Sequence, residues 1–227
     1  MGRLFDLNNP FWNFMGKLVD VAWLNILWFV CCIPIITIGP STTALYYVML
    51  KLVKDEEGKL TRSFFHSFKQ NFKQGMIIGC IMIAVGIFFG YDIYYYFQQK
   101  TTVGFVIAIC LIGLTSVYVC MSMYIYPILA RFDNTVKNLF RHTFLVSIRH
   151  LPKTILMVII TVAVTALQLF VPFLIVLGYG LAAFLNSYLL VGILEQYMPK
   201  EELPPTPEQL AEMGGVDPSM VTAMEDK

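Results

Sequence analysis

Two apolar runs, Met76 to Phe97 and Thr102 to Leu129, stand almost back to back. Each is long enough for a helix to cross the hydrocarbon of a bilayer, which takes about 20 residues. In lipid every backbone N–H and C=O must be bonded within the protein, so a chain with two such runs is constrained to helices. The charge content agrees. Only 14% of the 227 residues are charged and 57% are hydrophobic, whereas a soluble domain carries about 25% charged residues. The expectation is an all-α, polytopic membrane helix bundle.

Further segments complete the bundle. Asn9-Pro10 reads as a helix start, with Asn as cap and Pro at the first helical position, followed by the interface aromatics Phe11, Trp12 and Phe14. Leu18 to Ile38 is apolar apart from Asp20 and Asn25, and is broken by Pro34 and again by Gly39-Pro40. Proline removes a donor and clashes with the preceding turn, so this stretch is expected to leave carbonyls free at membrane depth. Ser41 to Val53 is apolar but too short to span alone. Ile155 to Phe170 and Phe173 to Leu194 are the last spans, separated by Val171-Pro172. From residue 198 the chain turns acidic and proline-containing, the composition of a solvated tail. Residues 1–197 are therefore read as one membrane-embedded domain and 198–227 as a cytoplasmic tail. The first residues lack the pattern of a cleavable signal peptide.

Basic residues sort by loop. Lys51, Lys54, Lys59, Arg62, Lys69 and Lys73 fall in the first polar loop; Arg131, Lys137, Arg141, Arg149 and Lys153 fall in the second. The tight turns hold one base and none, so the positive-inside rule puts both long loops and the C-terminus in the cytoplasm of a plasma-membrane protein. Each loop carries an amphipathic helix: Phe64, Phe65, Phe68 and Phe72 recur at helical spacing in the first, Leu139, Phe140, Thr143, Phe144 and Ile148 in the second. Such helices suit an anionic inner leaflet or a docking partner, with Phe64, Phe68, Lys69, Phe72, Lys73, Arg149 and Lys153 as the candidate docking residues.

An offset of 80 residues pairs Phe64, Ser67, Phe68, Lys69 and Lys73 with Phe144, Ser147, Ile148, Arg149 and Lys153. It also pairs Tyr46 and Lys51 with Tyr126 and Arg131, as a duplicated unit of span, basic helix and span requires. On that alignment Ala22 to Leu50 matches Thr102 to Ala130, which makes the first segment one broken crossing. About five transmembrane helices plus two cytoplasmic amphipathic helices result, with the N-terminus outside; six segments with both termini inside is the alternative.

Chemistry is sparse. Gly75, Gly79, Gly86 and Gly90 share an arc of about 60° at 100° per residue, a face for close helix packing. The break offers Pro34, Thr37, Gly39, Pro40, Ser41 and Thr42, with Asn25 nearby, but no acid or base between Cys31 and Leu50. Asn25, Gln168 and Asn186 are expected to bond across helices. The five cysteines lack metal spacing and are read as buried free thiols. His142 and His150 are eight apart, so they form no metal pair. No catalytic, cofactor or metal motif is present, no enzyme activity is expected, and the basic loops are topology determinants rather than a nucleic-acid surface.

NPFWNF, WLNILW, CIPIITIGPSTTALYYV, FFHSFKQNFKQ and SIRHLPKT together resemble the YesL family, small membrane proteins of Gram-positive bacteria. The resemblance covers residues 1 to 195. It implies a role beside carbohydrate-utilisation systems, with sugar-transporter subunits or another membrane protein as partner, and carries over no site residues. The chain is accordingly read as a non-enzymatic accessory to carbohydrate uptake; the alternative is a small transporter or channel whose path is lined by the broken first helix.

Overall fold

Proline sets the first boundary. A computed structural model of the chain describes residues 10–56, 58–99, 101–132, 135–171 and 177–197, with side chains from residue 15 onward. Helix α1, Pro10–Cys31, opens on a proline and stops short of Pro34, because the residue before a proline is pushed out of the helical region. One 3-10 turn, Ile35–Thr37, follows, and α2 runs Ile38–Val53. Gly39 and Pro40 fall in the first turn of α2, where a missing N–H leaves no intrahelical bond unmade. The second break in the sequence is thus a helix start.

The two helices fold back on each other. Lys17 Nζ lies 2.6 Å from the Asp55 carboxylate, and Trp28 Nε1 donates to Thr42 Oγ1 at 3.1 Å. Residues 10–53 therefore form a helical hairpin with its tip at Cys32–Thr37, and not the single broken crossing expected from the 80-residue alignment. Asp55 adopts φ 54°, a left-handed conformation that Asp tolerates, and ends the second arm.

Helix α2 is the centre of the bundle. Gly39 to Tyr46 and Val48 to Leu50 are all buried, against α1, α3 (Leu60–Gln70), α4 (Phe72–Gln98), α5 (Thr102–Arg131) and α8 (Gly178–Leu194). Helices α4 and α5 make an antiparallel pair in which Tyr118 donates to the Met82 carbonyl at 2.8 Å. Helix α6, Val136–Arg149, leads into α7, Leu151–Phe170, which pairs with α8 through Asn186 Nδ2 to Thr161 Oγ1 at 2.9 Å. Among the described residues α4, α5 and α7 are long and apolar enough to cross a membrane, and α8 is a shorter apolar helix.

The outer surface of these helices is apolar, with Ile87, Phe88, Val103, Leu114, Ile159 and Val162 exposed. All five cysteines are free. Cys80 and Cys110 are exposed on this surface, so burial holds only in part for the thiols. The N-terminal NPFWNF side chains and the acidic tail lie outside the described residues.

Candidate functional site

The break closes on itself. Thr37 Oγ1 lies 2.6 Å from both the Cys31 and the Pro34 carbonyls, while the Thr37 N–H donates to the Pro34 carbonyl at 3.0 Å. Thr42 and Thr43 donate to the carbonyls of Ile38 and Gly39. The hydroxyls of Thr37, Thr42 and Thr43 are spent on the backbone of the turn, which is how irregular backbone is satisfied away from water, whereas the Ser41 hydroxyl is fully buried with no hydrogen-bond partner among the described residues.

The break and the glycine face meet. A Cβ on Gly75 would stand 2.9 Å from Pro40 Cα, one on Gly79 2.9 Å from Gly39 Cα, and one on Gly39 would fall on the Gly75 carbonyl oxygen. Here α2 and α4 touch backbone to backbone. Gly86 faces the Tyr118 hydroxyl instead, and nothing approaches Gly90, which is exposed. The glycine arc therefore packs backbone to backbone only where α2 crosses α4, at Gly75 and Gly79, meets a side chain of α5 at Gly86, and is open at Gly90.

Asn25 is assigned to structure. Its Oδ1 accepts from Gly180 N at 2.9 Å, satisfying an N–H of the first turn of α8 that has no partner within its own helix. A Cβ on Gly178, at φ 36°, would stand 2.7 Å from Asn25 Nδ2, so glycine is required at this contact. Trp28 stacks on Tyr179 at 5.1 Å, and the hydroxyls of Tyr179 and Tyr46 are 3.2 Å apart. Gln168 Nε2 donates to the Gly178 carbonyl at 2.9 Å. Asn25, Gln168 and Asn186 each bond between helices.

The docking residues divide. Phe64 is fully buried, and Phe68 and, at the start of α4, Phe72 are half-buried beside it, so most of the aromatic stripe packs inward while Phe65 stays 40% exposed. Lys69 and Lys73 are exposed, as is Arg149, while Lys153 is half-buried. Helix α6 behaves differently: Phe144, Leu145 and Ile148 are 42–54% exposed, flanked by exposed Lys137 and Arg141. Between α6 and α7, burial and then the charges of Lys153 and Arg149 hold the His150 imidazole below the usual histidine range.

A groove that the sequence reading did not single out lies between α4, α5 and α7. It measures about 440 Å³ and is lined by Ile93 of α4, Ile112, Thr115, Ser116, Val119 and Cys120 of α5, and Ile155, Val158 and Ile159 of α7. Its wall is almost wholly apolar. The 80-residue offset relates it to the first joint: Val119, Cys120, Ile155 and Ile159 stand where Gly39, Pro40, Gly75 and Gly79 stand in the first unit. Glycine closes the first joint, and at the second the corresponding isoleucines stand exposed on the wall of the groove. The alignment marks those positions, in the pairs that do not match.

Fold and site together define a membrane-type helical bundle with a closed joint, an open joint and a basic end where Lys17 meets Asp55 and Arg131 lies 3.8 Å from Glu56. Residues 21–93 match the family described as Protein of unknown function, DUF624. The uncharacterized protein YteU of Bacillus subtilis (strain 168) is 24% identical over 165 residues, 70% of this chain and 73% of that protein. The uncharacterized protein YesL of the same strain is 22% identical over 174 residues, 75% of this chain and 82% of that protein. The chain is thus similar to the DUF624 family over residues 21–93 and, at low identity, to YesL and YteU over most of its length, which fits the family resemblance. No solved structure matches.

Proposed function

We propose that this chain is a non-enzymatic, multi-pass protein of the plasma membrane that assists carbohydrate uptake by holding a transmembrane helix of a sugar-transporter subunit in the α4–α5–α7 groove. The groove is the observation that carries the reading. Helices associate in lipid by close packing, and this wall is almost wholly apolar with Gly113 unobstructed beside it, the Thr115 and Ser116 hydroxyls being bonded to the Leu111 and Gly113 carbonyls of their own helix. Carbohydrate uptake as the setting rests on the family resemblance alone. The orientation rests on charge: the loops holding α3 and α6 carry six and five basic residues, which places them and the C-terminus on the cytoplasmic side.

The transporter alternative draws less support, because Gly39 and Pro40 of the break pack against α4 and the threonine hydroxyls of the break bond its own carbonyls. The deciding experiment is purification from native membranes of the wild-type chain and of a Ser116→Phe/Cys120→Phe variant, which fills the groove. A sugar-transporter subunit retained by the wild type and lost by the variant is the expected result. Equal recovery on both, or no such subunit on either, overturns the proposal.

A further inference from the structure

A second cavity, about 420 Å³, opens where the end of α2 meets the start of α3 and is lined by Tyr47, Lys51, Lys59, Arg62, Ser63 and His66. Three of these six side chains are cations, and no carboxylate is among them. Of the neighbouring acids among the described residues, Asp55 pairs with Lys17 at 2.6 Å, and Glu56 with Arg131 at 3.8 Å. Like charges gathered around one cleft repel each other, so such an arrangement calls for an anion.

The cleft has the parts to hold one. Lys51 Nζ sits 4.9 Å from the centroid of the Tyr47 ring, a cation–π contact that keeps the ammonium at the wall. Arg62 offers a fork of donors suited to phosphate oxygens, and Ser63 a hydroxyl. Lys59 precedes the first turn of the 11-residue α3 and makes no side-chain cap, so the N–H groups at that turn add positive potential on the same side. The volume is far larger than a phosphate group alone and leaves room beside Tyr47 for the organic part of a ligand.

We infer that the cleft between α2 and α3 is a binding site for a phosphate-bearing molecule, held by Lys51, Lys59 and Arg62. The phosphate comes either from a soluble phosphorylated compound or from the headgroup of an anionic lipid, and one experiment separates the two. The full chain, stripped of lipid in neutral detergent, is dialysed against radiolabelled orthophosphate. In parallel it is reconstituted with phosphatidylglycerol or phosphatidylcholine, re-extracted, and its retained lipid weighed by native mass spectrometry.

Saturable orthophosphate binding identifies a soluble ligand; retention of phosphatidylglycerol without orthophosphate binding identifies a lipid. In either case Lys59→Gln/Arg62→Gln, both at exposed positions, weakens binding by about tenfold or more, the scale of losing two charge-assisted contacts. The matched charge change Lys137→Gln/Arg141→Gln on α6 alters it less than about twofold, as expected of screened charges outside the site. Neither ligand bound, or an equal loss in both variants, overturns the inference.

Discussion

One methyl group separates glycine from alanine at residue 75, and the joint with α2 has no room for it. The atoms in the way are Pro40 Cα and N, backbone that cannot swing aside as a side chain can. Forcing extra carbon into such a contact costs about 1–3 kcal/mol. Gly75→Ala and Gly79→Ala should therefore lower the unfolding midpoint in detergent, whereas Gly90→Ala should hold or raise it, since alanine is favoured over glycine in a helix by about 1 kcal/mol. Equal effects at all three positions would show that the arc acts as one face. The sequence displays the arc, but which glycines are used depends on where a second helix crosses, and that is tertiary information. Thr37 was legible only as a hydroxyl near a proline; its two carbonyl partners exist because the chain doubles back.

Elements carry the next distinction. The 80-residue alignment makes the first segment a single crossing, and the ion pair of Lys17 with Asp55 makes it a hairpin. The alignment erred because hydropathy alone does not separate a kinked helix from two short antiparallel ones, and Pro40 reads the same in both. With the five native cysteines replaced, Gly16→Cys and Gly58→Cys, both at exposed positions, should react with an impermeant maleimide from the same side of sealed vesicles. Labelling from opposite sides would restore the single crossing. The amphipathic periods of α3 and α6 were read correctly as helices, since such stripes are local. Their faces were not told apart: α3 turns Phe64 inward and leaves Phe65 outward, whereas α6 keeps Phe144, Leu145 and Ile148 outward.

At the scale of the whole molecule, this difference bears on how the bundle sits in lipid. Helix α6 presents exposed aromatic and aliphatic side chains beside Lys137 and Arg141, the composition of a helix lying at a headgroup boundary. In anionic liposomes, tryptophan at Phe144→Trp should be quenched by lipids brominated near the headgroup, while tryptophan at Phe64→Trp stays protected; quenching of both alike would place α3 at the surface too. The groove was hidden in the sequence because it depends on how far apart α5 and α7 stand, which is tertiary information. The hairpin has a further consequence, for biogenesis. Between Asp20 and Lys51 the chain holds no charged residue, and the tip exposes Ile33, Ile35 and Ile36. Both arms can enter the bilayer together, tip first, from the side on which Lys17 and Asp55 pair, and the insertion machinery need move no charge across the membrane to place the central helix of the bundle.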